Sequence, residues 1–286
     1  MREAAIEVRG LRKVYGDTVA VDAVDLTVAA GEIFALLGPN GAGKTTTVEI
    51  LEGYRRRDAG EVRVLGVDPA VEDAAKRRWR TRVGIVLQGT GEFDELTVGE
   101  VVGHFARFYP EPDDPAAVIA RVGLTGKTRS RTHTLSGGQK RRLDVALGII
   151  GRPELLFLDE PTTGFDPEAR REFWTLIRDL AGTGTTIVLT THYLEEAETL
   201  ADRVGVIAAG RLIAVDTPRQ LGNRESAMAT VSWRTPEGSW ESTRSATPTA
   251  VVTDLAARFD GEVPGLTVTR PTLEDIYLDM IGAGTA

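Results

Sequence analysis

The segment Gly38 to Thr45, Gly-Pro-Asn-Gly-Ala-Gly-Lys-Thr, has residue types and a spacing that fit phosphate binding. The apolar run 33–37 before it predicts a buried strand, and residues 46–52 after it predict a helix. Glycines let backbone N–H groups converge on an anion, and the start of a helix adds unpaired donors. Lys44 would place a charge on the outer phosphates, and Thr45 would offer an oxygen to Mg²⁺. We predict an ATP or GTP site; the alternative is a glycine-rich turn with an exposed lysine.

Two adjacent carboxylates, Asp159 and Glu160, follow the apolar strand predicted at 155–158. In phosphoryl-transfer sites an Asp at this place holds Mg²⁺, directly or through water. Glu160 could then polarise a water for attack on the γ-phosphate. The alternative is that Asp159 only caps the segment that follows it.

The pentapeptide Leu135-Ser136-Gly137-Gly138-Gln139 opens a predicted helix. A serine and two glycines at a helix start leave backbone N–H groups exposed, so this is a second potential anion site. The alternative is an ordinary serine N-cap.

Composition places the chain among ordinary globular proteins, with 42% hydrophobic and 27% charged residues in 286. The net charge of −8 argues against non-specific nucleic-acid binding. We interpret the basic runs 55–57 and 76–82 as solvated loop and helix faces. No cysteine is present, so disulfides and thiolate metal sites are excluded. The sequence has neither a secretory signal nor an apolar run of ~18 residues, so we expect a soluble, cytoplasmic protein.

Strands alternate with helices along most of the chain, which predicts an α/β domain with a largely parallel sheet. A helical segment at about 89–152 interrupts the alternation and is expected to form an inserted lobe. After about residue 222 the pattern changes to a hairpin, a helix, a strand and a final helix. We therefore predict a domain at 1–222 and a small α+β domain at 223–286.

The order and spacing of these motifs, which cover about residues 4 to 220, resemble the nucleotide-binding subunits of ATP-binding cassette (ABC) transporters. The matching positions are Tyr15, Gly38–Thr45, Gln88, Leu135–Gln139, Leu155–Glu160, Thr163-Gly164-Phe165-Asp166 and His192. The resemblance implies a P-loop NTPase fold with a mostly parallel core sheet, an antiparallel β subdomain and an inserted helical subdomain. It also implies ATP and Mg²⁺ as ligands.

In that family two domains close head to tail, and each ATP lies between them. The resemblance assigns the residues of one chain that would surround the phosphates: Gly38, Pro39, Asn40, Gly41, Ala42, Gly43, Lys44, Thr45 and Thr46. It assigns a second set that would grip the γ-phosphate from the opposite chain: Ser136, Gly137, Gly138 and Gln139.

The same resemblance implies roles for single side chains. Tyr15 would stack on adenine, Glu160 would be the general base, and His192 would contact the γ-phosphate. Asp159 and Thr45 would hold Mg²⁺, with Gln88 holding both the metal and the attacking water. Asp166 would couple the two sites. Tyr15 could instead be a loop aromatic that covers the core, and Gln88 a polar residue at a strand end.

The tail 271–278, Pro-Thr-Leu-Glu-Asp-Ile-Tyr-Leu, looks like that of multidrug and antibiotic-export ATPases, including daunorubicin-resistance proteins. The alternative is an amphipathic helix that only packs on its own domain. Two positions depart from the family pattern: Phe165 replaces a leucine, and Val101 stands where Asn is common.

We therefore expect an ATP-hydrolysing subunit of an export-type transporter, peripheral on the inner face of the cell membrane. Its partners would be a separate transmembrane permease and a second ATP-binding subunit, either an identical copy or a paralogue, with no nucleic acid. The alternatives are a soluble ABC ATPase acting on ribosomes or DNA, and an importer subunit.

Overall fold

The computed structural model describes residues 3–72, 74–86 and 93–283. The chain divides into two compact units between Val215 and Asp216. The strands are β1 Ala4–Tyr15, β2 Thr18–Ala29, β3 Ile33–Leu37, β4 Ala59–Val64, β5 Val83–Val86, β6 Leu155–Asp159, β7 Thr186–Thr191, β8 Arg203–Ala208, β9 Arg211–Asp216, β10 Ala229–Arg234, β11 Trp240–Ser245 and β12 Thr267–Thr269. The helices are α1 Lys44–Leu51, α2 Ala74–Arg80, α3 Val98–Ala106, α4 Pro115–Arg121, α5 Gly137–Ile149, α6 Pro167–Gly182, α7 Leu194–Leu200, α8 Pro248–Arg258 and α9 Leu273–Ala283.

The first unit is built on a six-stranded sheet of order β5-β6-β7-β3-β8-β9. The pairs β5–β6, β6–β7, β7–β3 and β3–β8 are all parallel. Strand β3 is buried along its whole length, as are four of the five residues of β6. Continuous apolar strands are expected where helices cover both faces of a parallel sheet. The predicted α/β fold is confirmed.

A second, antiparallel sheet of order β2-β1-β4 packs against the phosphate-loop strand. Its buried residues, among them Ile6, Val28 and Val64, form one core cluster with Phe34 and Leu36 of β3. The antiparallel subdomain is therefore anchored on the strand that leads into the loop.

Helices α3, α4 and α5 lie between β5 and β6 in the chain, where the sequence predicts helical character. A capping box starts α3: Thr97 Oγ1 accepts the Glu100 N–H, and the Glu100 carboxylate accepts the Thr97 N–H. Helix α3 ends at Ala106.

Helix α2 overlaps the basic run 76–82, for which the sequence predicted a solvated loop or helix face without bounds for a helix. Arg77, Arg78 and Arg80 are exposed there, as expected. Lys76 and Trp79 are buried, so the interpretation of this run as a solvated face is wrong at those two positions. Lys76 is held by an ion pair with Glu72 at 2.5 Å.

The second unit contains an antiparallel sheet of order β11-β10-β12 with helices α8 and α9. Val231 and Trp233 of β10 pack with Leu255 of α8 and Val263 in a small core of their own. None of the described helices in either unit is both long and apolar enough to cross a bilayer.

Candidate nucleotide-binding site

Three predicted site segments follow neighbouring strands of the parallel sheet. The phosphate loop follows β3, Glu160 follows β6, and His192 follows β7. The register pairs Leu37 with Thr191 and Asp159 with Thr190, so the three strands end at the same level. Ligands of open α/β sheets bind at this carboxyl edge.

The Lys44 side chain is folded back into the phosphate loop. Its Nζ donates to the carbonyl oxygens of Gly38 at 2.7 Å and Pro39 at 3.1 Å. Only 7% of the residue is exposed, and burial lowers the pKa of its ammonium, while the charges of Glu160 and Asp159 oppose this shift. The alternative of an exposed lysine in a surface turn is therefore wrong. A buried cation beside two carboxylates is suited to a polyphosphate.

Backbone N–H groups of the loop add to this charge. The first intrahelical bond of α1 in the described chain runs from Thr47 N–H to Gly43 O at 2.9 Å. The N–H groups of Lys44, Thr45 and Thr46 therefore precede the hydrogen bonds of the helix. No acidic residue lies in that first turn, and Gly43 provides no side-chain cap. The residues present fit a phosphate chain.

The loop leaves no room for side chains at two glycines. A Cβ on Gly38 would lie 2.3 Å from Ile207 O in β8, and one on Gly43 would lie 2.3 Å from Ala20 O in β2. Gly43 also has a φ of 102°, which disfavours any L side chain. Both positions require glycine because the loop passes close to neighbouring backbones.

Asp159 and Glu160 are held by contacts from β7 and α5. Thr190 Oγ1 donates to Asp159 Oδ1, and the Glu160 N–H donates to Thr190 O at 3.1 Å. Buried Arg141 of α5 donates to Asp159 O at 2.6 Å and Pro161 O at 3.1 Å. Glu160 has a φ of 42°, a strained value for a residue with a side chain. Such strain is concentrated at functional sites.

His192 lies beside Glu160, with its Nδ1 3.4 Å from Glu160 Oε1. The Thr163 hydroxyl donates to the other carboxylate oxygen at 3.3 Å. The structure thus brings Lys44, Asp159, Glu160 and His192 together. Thr190 and Arg141 were missed by sequence analysis; the only signal for Thr190 is a polar residue at the end of a buried strand, and none exists for Arg141.

The Ser136–Gln139 segment forms a capping box at the start of α5. Ser136 Oγ accepts the Gln139 N–H at 3.3 Å, and Gln139 Oε1 accepts the Ser136 N–H at 3.1 Å. The serine cap considered as an alternative is therefore present, and Gly137 next to it is exposed. A Cβ on Gly138 would lie 3.9 Å from the side chain of Ala169 and 4.0 Å from that of Phe165.

Asp166 directly precedes α6 and caps it, since its Oδ1 accepts the N–H groups of Glu168 at 3.0 Å and Ala169 at 2.8 Å.

Tyr15 is 39% exposed, with Lys13 Nζ and the Arg55 guanidinium each 5.3 Å from its ring centre. One predicted site residue, Gln88, lies outside the described residues.

A metal cage built from protein alone is not found among the described residues, because no group of three His, Cys, Asp or Glu side chains is placed to form one. Mg²⁺ in nucleotide sites is usually held by one or two protein oxygens together with phosphates and water. The exposed Thr45 hydroxyl and the half-buried Asp159 carboxylate fit that donor set.

A further carboxyl, Glu52 at the end of α1, was missed by sequence analysis. It lines a cavity of about 390 Å³ together with apolar side chains of Trp79, Phe105 and Tyr109. Burial, followed by the charges of Asp159 and Glu49, raises the pKa of Glu52 to about 8. Burial therefore favours the protonated form of Glu52 in the folded chain.

Comparison with known proteins agrees with this geometry. The sequence profile of the family described as "ABC transporter" matches residues 21–163. The chain is 38% identical to the daunorubicin resistance ATP-binding protein DrrA3 of Streptomyces coeruleorubidus, over 99% of this chain and 97% of that protein. It is 42% identical to the Nod factor export ATP-binding protein I of Burkholderia lata, over 77% of this chain and 73% of that protein.

This chain belongs to the ABC transporter ATP-binding family. Among solved structures it resembles cbiO1 of Clostridium perfringens, with a TM-score of 0.72, 27% identity, and coverage of 78% of this chain and 92% of that one. A dimeric cassette bound to ADP and phosphate matches with a TM-score of 0.67 at 22% identity, which supports the fold alone. The predicted ABC-type fold, ATP binding and ATPase activity are confirmed, as is the resemblance to antibiotic-export subunits. The ribosome- or DNA-associated alternative is not favoured.

Gly43→Ala tests the steric requirement of the loop. The new Cβ would approach Ala20 O to 2.3 Å at a φ of 102°, so we expect a loss of about 2 kcal/mol or more of unfolding free energy and of ATP binding. Gly16→Ala is the matched control, because Gly16 also has a positive φ but its Cβ would meet no atom within 4 Å. Urea unfolding and equilibrium ATP binding measure both effects. Equal losses for the two variants would contradict the account.

Glu52→Gln tests the buried carboxyl. Its pKa is raised from 4.5 to about 8 on folding, so the stability that its proton contributes is complete below pH 4.5 and is lost as the pH rises toward 8. The amide should remove this component, worth a few kcal/mol at most, from the pH dependence of urea unfolding between pH 5 and 8. Glu61→Gln, at an exposed carboxyl, should leave the dependence unchanged. A decline of the same slope in Glu52→Gln and its parent would refute the assignment.

Proposed function

We propose that the chain is the ATP-hydrolysing subunit of an export-type ABC transporter and drives a separate membrane permease. The observation that carries this proposal is the match to an antibiotic-resistance ATP-binding protein along both units, over 99% of this chain. A match confined to the ATPase unit would have been compatible with any ABC ATPase. The export ATP-binding proteins among the relatives favour export over import.

Within the site, we assign the phosphates to Lys44 and to the loop from Gly38 to Thr46. The assignment is supported by the buried ammonium and by the N–H groups that precede the first bond of α1. Mg²⁺ would take oxygens from Thr45 and Asp159, and when bound it would neutralise charge on the phosphates. The exposed Tyr15 ring is available to stack on adenine.

Glu160 is the general base in this proposal. Its carboxylate stands at the carboxyl edge beside Lys44 and His192, and its backbone is held by Thr190. The carboxylate would accept a proton from the attacking water, and His192 would contact the γ-phosphate. Gln88, from its place in the motif order, would help to orient the water.

The Ser136–Gln139 segment would act on the ATP of a second copy. In the chain described here this segment adjoins Phe165 and Ala169, and its serine caps its own helix. The exposed Gly137 N–H group and the helix start would be available to phosphates across a dimer interface. Asp166, at the start of α6 next to this segment, would couple the two sites.

A permease partner would place the chain on the inner face of the membrane. The cavity between Glu52, Trp79, Phe105 and Tyr109 offers an apolar surface on which an apolar segment of such a partner could pack. An importer permease would use the same ATPase chemistry. The argument against an importer is the similarity to resistance and export ATP-binding proteins.

Glu160→Gln should retain ATP binding and lose at least ~100-fold in turnover, because the amide cannot accept the proton of water. The variant should accumulate as an ATP-bound dimer in size-exclusion chromatography. Glu7→Gln, at an exposed position of β1, is the control and should hydrolyse ATP like the parent. Turnover of Glu160→Gln within a few-fold of the parent would overturn its assignment as base.

A further inference from the structure

A cluster of polar side chains lies buried behind the carboxyl edge of the sheet. Its centre is Glu196 of α7, which is fully buried. The Trp174 indole N–H of α6 donates to Glu196 Oε1 at 3.1 Å. The hydroxyls of Thr162 and Thr191, both also fully buried, act on the pKa of the same carboxyl and so lie near it. The cluster joins two stretches of the chain, 162–174 and 191–196.

A negative charge on Glu196 is energetically unfavourable because the carboxyl is buried away from water. Burial raises the pKa of Glu196, and the Thr191, Thr162 and Trp174 donors together with the Arg170 charge act in the opposite direction. Glu196 Oε2 and Thr162 Oγ1 nevertheless have no hydrogen bond of ordinary geometry among the described residues. A buried acid with an incompletely satisfied oxygen is a poor solution for stability alone, because an apolar residue of similar volume would avoid the cost.

Each neighbour of Glu196 lies on a segment that also carries a residue of the nucleotide site. Thr162 is two residues after Glu160, and Thr191 directly precedes His192. Thr191 Oγ1 accepts the Tyr193 N–H at 3.0 Å, which fixes the turn that carries His192. Trp174 lies on α6, the helix that Asp166 starts.

A stack of planar side chains makes a second connection between α6 and the turn that carries His192. The Arg170 guanidinium lies 4.5 Å from the centre of the Tyr193 ring. The Tyr193 ring centre is 4.1 Å from that of His192. His192 Nδ1 in turn is 3.4 Å from Glu160 Oε1. Displacement of α6 would therefore move the imidazole relative to the carboxylate.

We propose that Glu196 is a positioning residue for ATP hydrolysis: its buried carboxyl group holds the His192 turn and the segment after Glu160 in position against helix α6. The inference rests on the roles proposed for Glu160 and His192. Glu196 is fully buried and would act through the side chains around it, Trp174, Thr162 and Thr191.

Glu196→Gln is the sharpest test. The carboxyl group presents two oxygens to the Trp174 N–H and the neighbouring threonine hydroxyls, whereas the amide replaces one of them with an NH₂ group that cannot accept from a hydroxyl. We expect kcat to fall at least tenfold while KM for MgATP stays within threefold, with active sites counted by a fluorescent ATP analogue. Glu198→Gln removes a charge from an exposed position of the same helix and should keep the parental kcat.

Trp174→Phe keeps an aromatic ring but removes the N–H donor, and it serves if Glu196→Gln fails to fold. It should lower kcat several-fold with KM unchanged. The double variant should be no slower than the slower single variant, because both changes break the same connection. If the fold-losses in kcat of the two single variants multiply in the double variant, Glu196 and Trp174 do not act through the same connection.

Thermal unfolding separates positioning from stability. A structural role alone would lower Tm and the number of active sites while leaving kcat per site unchanged, and that result would overturn the proposal. Glu160→Gln is assayed in parallel: if it keeps parental turnover, the assignment of the base fails, whereas its inactivity beside a fully active Glu196→Gln refutes this inference alone.

Discussion

The buried ammonium of Lys44 is the interaction on which the site depends. A cation in a loop at the end of a parallel sheet must be neutralised or hydrogen-bonded, and here two carbonyl oxygens of its own loop and two nearby carboxylates do so. The ammonium can bind a phosphate in place of these carbonyl oxygens without a large movement of the backbone. The lysine and the first N–H groups of α1 thus make the loop suited to bind an anion.

That arrangement explains why the surrounding elements sit where they do. The loop can approach β2 and β8 so closely only because Gly43 and Gly38 lack side chains. The antiparallel sheet shares a core with β3, which keeps β2 against the loop. On the other side, Thr190 and Arg141 hold Asp159 and the segment after it at the level of the phosphate loop. Packing of three elements therefore sets the geometry of a few polar atoms.

Much of this could be predicted from the sequence, because the relevant signals are local. The spacing of Gly38–Thr45 between a strand and a helix, and the pair Asp159-Glu160 after an apolar strand, define their own structure. The contacts that hold these residues are not local: Arg141 reaches Asp159, Thr190 reaches Asp159, and Trp174 reaches Glu196 only after folding. Glu52 gives no sequence signal, because the residues that line its cavity, among them Trp79 and Phe105, come from other parts of the chain.

The most direct test of the account is the structure of Glu160→Gln with ATP and Mg²⁺. We expect ATP between two copies, with its γ-phosphate within hydrogen-bond distance of Lys44 Nζ in one copy and Ser136 of the other. Mg²⁺ would lie between Thr45 and the phosphates. ATP bound elsewhere, or bound while Lys44 Nζ remains on the Gly38 and Pro39 carbonyls, would contradict the central role of the buried ammonium.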